Sequence, residues 1–290
     1  MLRKRVITAL ILAPLAALAV FELKSEWFSL VLGVLTLLAA WEWAALIGIR
    51  SLLKRTIYLS ALIVPMAGVY FWTQILELMA QLLNWPDIRN YSGWLDILVV
   101  PPVLFWLVMM FLLRKTPDNL LKMTIKTVHK AFIGVMLLSA FWMFLCRLKA
   151  FYGAEMVMYL LLLIWAADVA AFFVGRRFGK TKLAPEISPG KTVEGAYGAL
   201  AAAALCAIAL SLGYGFNFMV SSDFLLLSVL TVMISVYGDL FFSLIKRQRG
   251  VKDSGALLPG HGGILDRLDS LIAATPFFYA GIFLIGRLII

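Results

Sequence analysis

Charge is scarce in this chain. Acidic and basic residues fill 14% of its 290 positions and hydrophobic residues 63%, whereas soluble domains run at about 25% charged and about 45–50% apolar. That imbalance excludes an ordinary soluble fold. Cysteine is almost missing: Cys146 and Cys206 lie in or beside apolar runs, with no CxxC pair and no metal-ligand spacing, so they act as packing residues and say nothing about redox compartment. Histidine occurs twice, and neither an internal repeat nor a low-complexity linker is present. The net charge of +10 calls for no nucleic-acid partner, because a basic patch of that purpose comes with a soluble recognition fold.

Runs of roughly 17–25 mostly apolar residues mark membrane spans. They occur at 6–23, 27–48, 57–75, 95–113, 131–147, 156–175, 194–213, 223–245 and 270–289, which predicts an all-α polytopic membrane protein of nine transmembrane helices. The third run contains Pro65 and continues into an amphipathic stretch at 74–84, and the fifth is short. Lysine and arginine cluster at 3–5, 50–55, 114–130, 176–191 and 246–267, segments that hold 21 of the 26 basic residues and are alternate connections of the nine-span arrangement. The positive-inside bias then puts the N-terminus in the cytoplasm and the C-terminus outside. Attraction to anionic membrane lipids accounts for the rest of the basic character. The opening Arg3-Lys4-Arg5 and Ala17-Leu18-Ala19 also fit a cleavable signal peptide; the length of the apolar stretch favours its retention as a first span. Three regions follow: N-terminal scaffold helices at 1–93, middle helices with a basic cytoplasmic loop at 94–155, and a chemistry-bearing region at 156–290. The alanine-rich run 195–207 suits close helix approach in lipid.

Ionisable groups inside a membrane are expensive and point to function. Glu42, Asp168 and Asp239 each stand six or seven residues from the cytoplasmic end of their spans, about 10 Å below the surface at ~1.5 Å per residue. They share one level beneath three basic loops, as an enzyme acting on charged headgroups requires, whereas a transporter site is expected nearer the midplane. For Glu42, between Trp41 and Trp43, a plain hydrogen bond to a neighbouring helix explains the residue equally well.

Asp239, Ser243, Lys246 and Arg247 are spaced i, i+4, i+7 and i+8, so a continuous helix puts them on one stripe running out to the cytoplasm. The stripe leads into Gly250-Val251-Lys252-Asp253-Ser254-Gly255 and then Pro259-Gly260-His261-Gly262-Gly263, glycines that let backbone N–H groups approach phosphate oxygens. Asp266, Arg267 and Asp269 follow in the first turn of the last span. Acids favour a helix N-terminus in any case, which accounts for their position but not for the arginine between them.

The run Ser243-Leu244-Ile245-Lys246-Arg247, then Lys252-Asp253, then Pro259 to Asp269 resembles the signature of phosphatidate cytidylyltransferases, or CDP-diacylglycerol synthases. A second block is similar to the same family: Trp165-Ala166-Ala167-Asp168, Gly175, Gly179-Lys180, Leu183, Pro185, Ser188-Pro189-Gly190-Lys191-Thr192 and Glu194-Gly195. The likeness covers roughly 130–290. Val169 stands where the family usually has a small hydroxyl residue, and Phe172 where it commonly has tyrosine, which weakens the carry-over of a role to Asp168.

The resemblance implies a reaction of CTP with phosphatidate giving CDP-diacylglycerol and pyrophosphate, assisted by Mg2+ or Mn2+, in the inner (plasma) membrane. By role, Asp239 and Asp266 are expected at the metal, with Asp269 either a third ligand or a support to the other two, and Ser243, Lys246, Arg247, Lys252 and Arg267 at phosphates. Asp168, Ser188, Lys191, Gly262 and Gly263 are expected at the substrates. His261 either donates to the leaving pyrophosphate or is a structural residue of its glycine turn, and His129 reads as an exposed loop histidine. A homodimer is left open. The competing class is an ion-coupled transporter of an anionic phosphorylated solute. Membrane transferases of the CDP-alcohol or prenyl kind are disfavoured, since no DGxxAR, NDxxD or DDxxD run is present.

Overall fold

The computed structural model describes residues 2–257 and 262–289. Helices make up nearly all of it: α1 (Leu2–Glu22), α2 (Ser25–Leu46), α3 (Leu52–Tyr70), α4 (Trp72–Leu82), a 3-10 stretch (Pro86–Val99), α5 (Val100–Lys115), α6 (Pro117–Lys122), α7 (Thr127–Phe178), α8 (Val193–Tyr214), α9 (Phe218–Gln248) and α10 (Leu265–Ile289). Between α7 and α8 lies a short antiparallel hairpin, β1 (Lys182–Ala184) and β2 (Ser188–Thr192), pairing Lys182 with Thr192 and Ala184 with Ser188. The sequence reading treats this segment as loop.

Among the described residues seven helices are long and apolar enough to cross a membrane, and the chain is a multi-pass membrane protein on that ground. The fifth and sixth runs of the sequence fall in the single 52-residue element α7, which Gly153 breaks with φ 87 and ψ 171. The third run stops at Tyr70 and the amphipathic stretch after it becomes a separate helix, α4. In α1 the apolar part described with its side chains is Ile11–Glu22.

The interior is built around α7, which packs on α8, α10, α2 and α3, while α9 packs on α10 and α8. Trp43, Phe141, Phe144, Leu160, Phe278 and Tyr279 are among the largest buried side chains. Outward-facing positions are apolar as well: Leu30, Val34, Val64, Val108, Leu162, Leu205 and Leu212 are exposed, as expected where lipid takes the place of water. Small residues set the closest helix approaches. A methyl group on Gly195 would come within 2.8 Å of the Ala171 carbonyl, and one on Gly198 within 2.7 Å of Val174 Cβ, so α7 and α8 meet almost backbone to backbone. Likewise, a side chain on Gly238 of α9 would overlap Ala273 of α10. The entry to α8 is capped by Thr192, whose hydroxyl accepts the Gly195 N–H at 3.1 Å. Its exit is a left-handed Gly215, φ 65, whose N–H reaches the Ser211 carbonyl.

Candidate active site

The α9 stripe forms as the spacing predicts, because the helix runs unbroken to Gln248. Ser243 donates to Asp239 Oδ1 at 3.3 Å. On its other oxygen Asp239 meets Lys191 of β2, Nζ to Oδ2 2.7 Å, and the same ammonium donates to the Val236 carbonyl at 3.1 Å. The hairpin thus delivers a cation to the middle of α9, with both partners of the pair still partly exposed.

Two turns beyond Asp239, Lys246 turns to α10, where its Nζ lies 2.6 Å from Asp266 Oδ1. Asp266 Oδ2 accepts the backbone N–H groups of Ser254 at 2.8 Å and Gly263 at 3.0 Å. The bond to Gly263 ties the first turn of α10 back to the residue before its N-cap. Both oxygens of Asp266 are therefore engaged, by one ammonium and by the two ends of the described loop. Asp269 is buried next to the start of α10's second turn, takes the Ser270 N–H at 2.8 Å, and lies within electrostatic reach of Asp239, Lys246 and Lys191. Asp168 on α7 faces the same group, with Asp239, Lys191 and Arg267 around it. Gly238 is what lets α10 come this close to α9.

The remaining residues singled out in the sequence have other partners. Arg247 bonds the Ile187 carbonyl at 3.2 Å and the Val251 carbonyl at 3.4 Å, stitching the hairpin turn to the following loop. Lys252 and Arg267 are exposed. Ser188 is half-buried at the head of β2. Gly262 has φ 84, and a side chain there would crowd Asp266 Oδ2 at 2.8 Å and Asp253 Cβ at 3.3 Å. Pro259, Gly260 and His261 lie outside the described residues. Among the described residues no three histidine, cysteine or acidic side chains converge as a ready-made metal cage.

Glu42 joins the site through the loop. Its carboxylate, 3% exposed, accepts the Ser254 hydroxyl at 2.8 Å and the Leu265 N–H at 2.9 Å on Oε2, and the Ile264 N–H at 3.1 Å on Oε1. Of the two alternatives open for this residue, the hydrogen-bonding one is seen, but its partner is the signature loop and the first turn of α10. Glu194, quoted in the sequence without a role, takes the N–H groups of Lys180 and Thr181 and so closes the start of the hairpin.

The cluster is open on one side. Asp168 is exposed, as are Val169, Phe172 and Phe173, and Phe172 stands one turn beyond Asp168 on the same face. The two departures from the family pattern thus border the acids from the outer, apolar surface.

The chain is similar in sequence to known proteins. Residues 3–285 match the cytidylyltransferase family. The phosphatidate cytidylyltransferase of Haemophilus influenzae is 34% identical over 289 residues, covering 96% of this chain and 97% of its own. That of Pseudomonas aeruginosa is 36% identical over 281 residues, covering 97% and 96%. The Bacillus subtilis protein of the same name is 44% identical over 131 residues, 44% of this chain and 47% of its own. Matched across nearly its whole length, with the signature run forming one connected group of carboxylates and cations, the chain belongs to the cytidylyltransferase family.

Proposed function

We propose that the chain transfers the cytidylyl group of CTP to phosphatidate, making CDP-diacylglycerol and pyrophosphate at the cytoplasmic face of the inner plasma membrane. The observation that carries this is a cluster of Asp168, Asp239 and Asp269 with Lys191, Lys246 and Arg267, open beside lipid-facing aromatics. The name shared by the relatives supports the choice of lipid.

Phosphatidate carries a phosphate monoester, whose second pKa near ~6 leaves it largely dianionic at neutral pH. One of its oxygens attacks the α-phosphorus of CTP; the α–β P–O bond breaks and pyrophosphate leaves. No side chain has to remove a proton, so positioning and charge neutralisation dominate. Lys191, Lys246 and Arg267 hold the anionic groups, arginine bidentately and lysine as point charges. Lys252 and Ser188 are the outer contacts of the triphosphate, Arg247 keeps the two loops together, and His261 keeps both of its readings, donor to the leaving pyrophosphate or structural residue of its glycine turn. Gly262 brings backbone toward the phosphates, while the Gly263 N–H is taken by Asp266.

The carboxylates are hard oxygen donors of the kind Mg2+ or Mn2+ takes, and Mg2+ is commonly held by one or two carboxylates together with substrate phosphates rather than by a protein cage. Asp239 with Asp168 or Asp269 fits that pattern better than Asp266, whose oxygens are committed to Lys246 and the loop. When bound, the metal would neutralise triphosphate charge and ease the departure of pyrophosphate.

For topology we infer nine crossings: the two halves of α7 on either side of Gly153 counted separately, plus α1. That arrangement places the hairpin, the Lys246–Asp266 pair and the α2 end near Glu42 on the cytoplasmic side, where CTP is found. The transporter reading is not favoured, since the acids are engaged with loops at a helix end.

Thermal unfolding in detergent tests the nucleotide site. At about one hundred times its Kd a ligand stabilises by about 2.7 kcal/mol, so CTP with Mg2+ should raise the Tm, CTP with chelator should not, and ATP should do less. No shift with CTP under any condition would return the transporter reading to the front.

A further inference from the structure

Glu42 lies outside the signature runs, in the second helix, yet three donors converge on it from the loop at 254 and the head of α10. Two glycines exist in that loop at its expense: a side chain on Gly255 or on Gly263 would overlap the Glu42 carboxylate. An anion at a helix N-terminus is well placed to satisfy the unpaired N–H groups there. Ile264 and Leu265 supply two such donors, immediately before Asp266 and four residues before Asp269. Asp266 completes the arrangement by taking the N–H groups of Ser254 and Gly263 and the Lys246 ammonium. Ser254 is thereby held twice, its hydroxyl by Glu42 and its N–H by Asp266.

We propose that Glu42 is a positioning residue of the transfer reaction: its carboxylate pins the signature loop and the start of α10 to the N-terminal bundle. It thereby fixes Asp269 and Lys246 against Asp239. This rests on the cytidylyltransfer reading for its kinetic consequence, but the pinning itself does not. Glutamine keeps the size of the side chain and loses the function, because its amide would present N–H donors to backbone N–H donors. Aspartate is one methylene too short to meet all three partners.

The test combines kinetics with loop mobility. After Cys146 and Cys206 are changed to alanine, a nitroxide is placed on Ala256→Cys, an exposed loop position outside the site. Glu42→Gln should convert an immobilised spectrum to a mobile one. It should also lower kcat by about 100-fold, the scale of a 1 Å misplacement, with KM for CTP and for phosphatidate held within about twofold. Ser254→Ala removes one of the three bonds and should show a partial mobile component and a kcat loss of about threefold; it serves where Glu42→Gln does not fold. An unchanged spectrum, an unchanged kcat or a loss confined to KM would each overturn the proposal. If the cysteine-free parent forms no CDP-lipid, the reaction reading has failed, and the spectrum alone still decides whether Glu42 pins the loop.

Discussion

Lys191 of β2 and Asp239 of α9 meet at 2.7 Å, with the ammonium also resting on the Val236 carbonyl one turn below, 45 residues from the lysine in the chain. The pair places a cation on the acid expected to face the metal and triphosphate. Asp239→Asn removes that charge and should lower turnover on the order of 100-fold without changing insertion or the Tm in the absence of ligand. Initial rates at saturating Mg2+ check this, and a near wild-type rate would take Asp239 off the ligand list.

Lys191→Met should raise KM for CTP more than it lowers kcat. A charge-assisted contact is worth about 1.5–3 kcal/mol, roughly a tenfold or greater effect. Rates measured across CTP concentrations give the split. A loss confined to kcat would mean that Lys191 acts only in the transition state.

Gly263→Ala tests the tight fit of the loop, since the added methyl would overlap both Glu42 Oε2 and Ser254 Oγ. Displacing the loop by even ~1 Å should cost about 100-fold in kcat. The helices, which do not depend on this residue, should keep their circular dichroism. Full activity would mean that the loop has room to move aside.

Single cysteines placed in the hairpin and at 250–257 should react with an impermeant maleimide only from the cytoplasmic side. Labelling from the outer side alone would invert the proposed topology.

Much of the fold was legible because membrane spans declare themselves by length and composition. The α9 stripe was legible because residues four and seven apart keep their register on any unbroken helix. Asp168 and Asp269 both lie within electrostatic reach of Asp239, whereas Glu42, expected at the depth of Asp168 and Asp239, binds the loop and the head of α10. Partners were the hidden part. Asp266 reads as a metal ligand from its motif, yet whether its oxygens face a metal, an ammonium or two N–H groups depends on loop geometry that spacing does not encode. Glu42 and Ser254 are separated by 212 residues, and nothing local links them. The hairpin was missed for a different reason: β2 is five residues long and contains Pro189 and Gly190, both of which read as turn. Gly238 carries no motif signal, and its importance appears only with α10 packed against it.

The central claim is the identity of the group transferred, and isotope position reads it directly. Purified protein is incubated with phosphatidate, Mg2+ and CTP labelled with 32P at either the α- or the γ-phosphate. The account predicts that α-label enters the chloroform-soluble lipid, while γ-label stays in water as pyrophosphate. Absence of α-label from lipid, alongside uptake of a phosphorylated anion by the same protein in liposomes, would contradict it.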